Sequence, residues 1–137
     1  MKDDLKRFLD AQKYDYDPAL REIRSGHKRS HWIWYIFPQL KALGYSDTAK
    51  KYGIRDLDEA KAYLNEPTLR SRLIEISEAL LALPENDPLK VMGHPDDLKL
   101  RSSMTLFAAA DPECTVFQRV LDKFYSGKPD TKTLDLL

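Results

Sequence analysis

The sequence predicts an all-α fold, a single compact domain of about eight short helices. Two observations carry that expectation. Apolar residues recur at helical spacing along most of the chain, and an acidic or polar residue followed by proline opens one segment after another. Clear strand signals do not recur. A chain of 137 residues fits one domain over 1–137, because a single core of this size removes roughly two-thirds of the unfolded surface from water.

Leu5, Phe8, Leu9 and Gln12 fall at helical spacing and predict a first helix over about residues 3–13. A second follows in DPALREIRSG, where Asp17 can cap, Pro18 suits the first helical position, Leu20 and Ile23 share a face, and Gly26 ends the segment. SDTAKKYG reads as a short helix capped by Ser46 and stopped by Gly53, and DLDEAKAYL places Asp56 and Glu59 in capping-box spacing. Asn65-Glu66-Pro67 ends it. The longest periodic segment carries Leu69, Leu73, Ile76 and Leu80 on one stripe before Pro84 stops it. DPLKVMG, HPDDLKLRSSMTLFAAAD and DPECTVFQRVLDKFYSG then open in turn, the last with a Val116, Phe117, Val120, Leu121, Phe124 stripe and a stop at Gly127. A short terminal helix starts at Asp130. Helix pairs of similar length leave solenoid-like packing open.

Composition bounds function. Twenty-two basic and twenty-two acidic residues cancel, so no global field draws the protein to nucleic acid or to an anionic membrane. The longest apolar stretch, Trp32 to Phe37, is far short of the roughly 20 residues that span a bilayer. The acidic start MKDDLKRFLDAQ lacks a signal-peptide core. With Cys114 as the single cysteine, a reducing, cytoplasmic home is expected.

Two stretches carry chemistry. In GHKRSHWIWYIFPQL, residues 26–40, periodicity alone does not choose between helix and strand for 31–37; the helical context favours helix. If Gly26 ends one helix, Ser30 can cap the next, and its backbone N–H groups with Lys28 and Arg29 form an anion cradle beside His31, Trp32 and Trp34. Gln39, a carboxamide closing an apolar run, must find partners or bind something. In GHPDDLKLRSSMTLF, residues 93–107, Pro95 fits the first turn, Leu98, Met104 and Phe107 form the apolar side, and an Asp97–Arg101 pair is expected with Thr105 on the same face. Ser102 and Thr105 can point inward. His27, His31, His94, Asp96 and Asp97 are general-base candidates, but no HExxH, CxxC or glycine-rich phosphate loop appears, and no metal is expected.

The segments RFLDAQ, EIRSGHKRSHWIWYIFPQL, YGIRDLDEAKAYL, GHPDDLKLRSSMTLF and VFQRVLDKFYSGKPDTKTLDLL resemble the family called domain of unknown function 1810, across nearly the whole chain. The resemblance implies a compact, mostly helical domain and brings no settled activity or cofactor. Some members carry the label of calpastatin, a disordered protease inhibitor, which this well-patterned, aromatic-rich chain is unlike. It also implies that the two stretches travel as one set, here Lys28, Arg29, Ser30, His31, Trp32, Trp34, Gln39, Asp97, Lys99, Arg101, Ser102, Ser103 and Thr105. The function expected is binding of an anionic aromatic small molecule such as a nucleotide or NAD-derived metabolite, with hydrolysis an option. The alternative is a non-catalytic module whose aromatic residues bind a protein partner.

Overall fold

A computed structural model describes residues 4–137. Among them are nine α-helices and one 3-10 turn, and the sole β feature is an isolated parallel bridge between Leu40 and Ile54. The helices are α1 (Lys6–Arg24), α2 (Ile33–Ile36), α3 (Asp47–Lys51), α4 (Leu57–Asn65), α5 (Pro67–Ala82), α6 (Pro88–Met92), α7 (Asp96–Ala110), α8 (Val116–Tyr125) and α9 (Thr131–Leu136), with the 3-10 turn at Lys41–Leu43. The disputed run 31–37 contains the four-residue helix α2.

The first two expected helices are one. Residue 3 of the first lies outside the described residues, and α1 runs through Pro18 without a break. A proline inside a helix forfeits a hydrogen bond to the carbonyl four residues back and costs roughly 3 kcal/mol. Here that carbonyl belongs to Tyr14, which is 76% exposed, so water can serve it. Continuing the helix buries Tyr16, Ala19, Leu20 and Ile23 along the stripe begun by Phe8 and Gln12, which outweighs the cost. Asp17 therefore sits inside the helix and caps nothing. Gly26 ends α1 as expected. With φ of 86° it lets His27 N–H reach the Glu22 carbonyl (3.2 Å) and its own N–H reach that of Ile23 (2.8 Å), a left-handed C-terminal stop.

Other starts follow their capping residues. Ser46 accepts from Ala49 N–H, Asp56 from Glu59 N–H, Asp87 from Leu89 N–H and Asp130 from Thr133 N–H. Two differ from expectation. Pro95 stands at the cap position of α7 instead of in its first turn, and α8 begins at Val116, leaving Asp111–Cys114 as a turn.

The centre of the molecule is α7, packed by α8, α4, α6, α9 and α2, while α5 bridges α1, α4 and α8. Residues Ser102 to Phe107 are buried without interruption, the pattern of a helix enclosed on all sides. Leu98, expected on the apolar side, is 51% exposed because it precedes this enclosed portion. Aromatic rings tie the layers together: Phe8 meets Tyr63 edge-on at 5.1 Å, Tyr63 meets Phe107 at 5.1 Å, and Phe107 meets Phe117 at 5.9 Å. These contacts link α1, α4, α7 and α8 and contribute beyond simple burial. The stripe residues Leu69, Leu73, Ile76, Leu80, Val116, Phe117, Val120, Leu121 and Phe124 are all in the core. A second fastening is polar: Arg7 donates to the carbonyls of Lys51 and Gly53 at 2.8 Å each and to buried Glu59 at 3.1 Å. It pins the start of α1 to the turn between α3 and α4.

Candidate functional site

Residues 29–32 do gather donors around an anion, though not at a helix start and without the Lys28 or Arg29 side chains, and the anion is the chain's own. Glu22, in the last turn of α1, accepts from Arg29 N–H (2.6 Å), Ser30 N–H (2.9 Å), the Ser30 hydroxyl (2.7 Å) and the Trp32 indole N–H (3.0 Å). Partial burial pushes its carboxyl upward, but these donors outweigh burial and bring it from 4.5 down to about 2. Ser30 thus does not cap α2, whose cap position is Trp32 with no side-chain bond. Glu22 itself escaped the sequence reading. As an acid on a solvated helix edge it looks ordinary, and only the reversal at Gly26 turns it back onto residues 29–32.

The two expected stretches meet at Asp96. Its carboxylate lies 2.7 Å from the Lys28 ammonium and 3.8 Å from that of Lys99. Lys28 rests over the Trp32 ring at 4.9 Å, and Lys99 over the Trp34 ring at 5.1 Å. Trp32 is buried, whereas Trp34 is only half-buried, so the second indole and Lys99 form an accessible edge. One carboxylate faces two ammonium groups, and the cluster keeps a unit of positive charge. Asp96 sits in the first turn of α7, where a carboxylate is favoured by the helix dipole; its bridging role depends on where α2 is held.

The remaining polar residues of α7 turn elsewhere. The Asp97 carboxylate takes His94 Nδ1 at 3.0 Å instead of Arg101, since Arg101 is drawn away: its Nε donates to the Lys128 carbonyl at 3.0 Å and its guanidinium lies over Tyr125. Ser102 donates to Asp130 at 2.9 Å, and Thr105 accepts from Asp130 N–H at 2.9 Å while donating to the Arg101 carbonyl. Both hydroxyls are buried, as expected, and they hold the start of α9. Tyr125 hydroxyl donates to the Asp97 carbonyl at 2.5 Å, with burial pushing its ionisation upward. Ser103 Oγ is buried without a hydrogen-bond partner among the described residues.

Three expected residues stand apart. His31 is exposed at the entry to α2. Arg29 offers its guanidinium to solvent beyond a 3.4 Å contact with Ser25 Oγ. Gln39 is half-buried; its carbonyl accepts from Ile54 N–H at 2.9 Å, and no bond to its carboxamide is seen among the described residues. Among the general-base candidates, His94 has its ring oriented by Asp97, and His27 Nδ1 lies 3.1 Å from the Lys90 carbonyl. No cluster of three metal-binding side chains occurs among the described residues, and no helix there is long and apolar enough to cross a membrane.

Similarity to known proteins is strong in fold and silent on chemistry. The chain matches a conserved hypothetical protein of Mycobacterium tuberculosis, Rv1873, solved by crystallography, with a TM-score of 0.96 and 46% identity over 98% of this chain and 96% of that one. Among curated proteins no match is found. A family described as protein of unknown function (DUF1810) matches residues 2–137, and with all but the first residue covered, the chain belongs to that family.

Proposed function

We propose that the chain binds an anionic aromatic small molecule, of the class of nucleotides and NAD-derived metabolites, at the Trp34–Lys99 edge. The observation that carries this reading is the sharing of Asp96 between Lys28 and Lys99 beside a half-exposed indole. A base can stack on the indole, and a phosphate can take the charge that Asp96 leaves over. Hydrolysis would draw on the nearby His94–Asp97 pair, in which the carboxylate orients the imidazole. Balanced overall charge speaks against nucleic acid as the ligand, and the single cysteine supports a cytoplasmic location.

The second reading, a non-catalytic protein-interaction module, is favoured by a different observation: Glu22 already fills the cradle at residues 29–32. A thermal-shift series with AMP, ADP and NAD separates the two. A ligand at 100 times its dissociation constant raises stability by about 2.7 kcal/mol, and Lys99→Ala should abolish that shift without altering helical content. No shift with any of the three, or an undiminished shift in Lys99→Ala, removes the small-molecule reading and leaves the module.

A further inference from the structure

Lys28 and Lys99 carry the same charge and share one carboxylate, yet the structure holds them differently. The Lys28 side chain is 6% exposed, and its ammonium is committed to the Asp96 carboxylate at 2.7 Å, to the Ser30 carbonyl at 2.5 Å and to the face of Trp32. Its backbone N–H reaches the Val91 carbonyl at 2.7 Å, which ties the turn after α1 to α6. Lys99 keeps 25% of its side chain exposed, stands 3.8 Å from Asp96 and lies over the half-buried Trp34. A ligand can reach the second ammonium and not the first.

The hidden cation nevertheless decides what the accessible one can do. Asp96 and Lys99 are three residues apart on α7, a spacing at which a carboxylate and an ammonium can close on each other. Here the carboxylate is drawn across to Lys28, and the pair within the helix is the longer of the two. Asp97 does not take its place, because its carboxylate is turned to His94. Two ammonium groups against one carboxylate leave one positive charge, and the shorter pair leaves that charge on Lys99.

We propose that Lys28 is a positioning residue: by holding Asp96 it keeps the Lys99 ammonium free for an anion at the Trp34 edge. Without it, Asp96 closes on Lys99 and the edge becomes neutral. For the identity of the ligand this rests on the nucleotide reading, but the charge itself can be measured without a ligand. Trp32 and Trp34 are the only tryptophans, and Trp32 is 1% exposed, so quenching of indole emission by iodide reports on Trp34. Acrylamide, a neutral quencher, corrects for exposure. At constant pH and ionic strength the ratio of iodide to acrylamide quenching constants should fall about twofold in Lys28→Met, which keeps an apolar stem over Trp32 without the charge, and rise about twofold in Asp96→Asn, as expected for one unit charge at this range. Lys28→Met combined with Asp96→Asn again leaves one positive charge and should return the ratio to that of the wild type. The affinity of any nucleotide that binds should follow the same order, falling in Lys28→Met and recovering in the double variant. An unchanged ratio in a Lys28→Met variant of native circular dichroism, a double variant no higher than Lys28→Met, or an Asp96→Asn variant without a rise overturns the proposal. If no nucleotide binds while the iodide order holds, the ligand assignment falls and the role of Lys28 stands.

Discussion

Removing the Glu22 carboxylate tests how the chain turns from α1 into α2. Glu22→Ala strips the acceptor from four donors, but they do not lose equally. Arg29 and Ser30 are exposed, so their N–H and O–H groups can turn to water at little cost. Trp32 is 1% exposed, and its indole N–H is left buried without a partner, which costs about 1–3 kcal/mol. Taking about 2 kcal/mol and roughly 3 °C per kcal/mol for a domain of this size, the melting temperature should fall by roughly 6 °C. Glu22→Gln isolates the charge. Since the folded-state value is depressed to about 2, the carboxylate's contribution is fully present above its unfolded value near 4.5 and is lost as pH falls through 2. The gap between wild type and Glu22→Gln should therefore be constant from pH 5 to 8 and narrow below 4.5. Thermal unfolding followed by circular dichroism reads both. A Glu22→Ala variant within about 1 °C of wild type, or a Gln variant whose deficit ignores pH down to 2, refutes the view that this carboxylate organises the turn.

Ser103→Ala should leave stability unchanged or slightly raised, because the hydroxyl has no bond to lose; a loss above about 2 kcal/mol in urea unfolding would reveal a hidden partner. Gly53→Ala should destabilise by about 1–3 kcal/mol, since a Cβ there would come within 2.4 Å of the Lys41 backbone; a neutral result would show that the 41–53 contact yields freely. Trp32→Ala should cost about 3–5 kcal/mol as a core truncation, and Trp34→Ala clearly less, as its ring is only half-buried. Equal losses for the two tryptophans would contradict the exposure of the second.

The fold was legible because periodicity and capping agree through most of the chain. Ser46, Asp56, Asp87 and Asp130 each mark a helix start by a local bond, and Leu69 to Leu80 declares its buried face by spacing alone. Pro18 misled because its local preference for a first turn was overridden by the burial of Tyr16, Leu20 and Ile23 on a continuous stripe. The candidate site was legible only as a set of residue types. Lys28 and Lys99 were singled out, but their meeting at Asp96 depends on the angle at which α2 lies against α7, which no spacing encodes. Ser102 and Thr105 resemble ligand-binding hydroxyls and instead hold Asp130, a residue whose sequence signal was the start of α9. The Asp97–Arg101 pair failed because i,i+4 spacing permits such a pair without competing against Lys128 and Tyr125.

The bridge between Leu40 and Ile54 has a mechanical consequence. Its hydrogen bonds, Lys41 N–H to the Ile54 carbonyl and Ile54 N–H to the Gln39 carbonyl, close residues 40–54 into a loop whose two ends are tied together. Within it α3 leans on the 3-10 turn, and the outward anchors include the guanidinium of Arg7 on Lys51 and Gly53. The tied ends, Leu40 and Ile54, are themselves buried in the core, and the Tyr52 ring packs on Phe8 and Tyr35, so the loop cannot open without exposing apolar surface to water. Two backbone hydrogen bonds thus do for this irregular stretch what a helix does elsewhere, and Arg7 adds a polar clasp from outside.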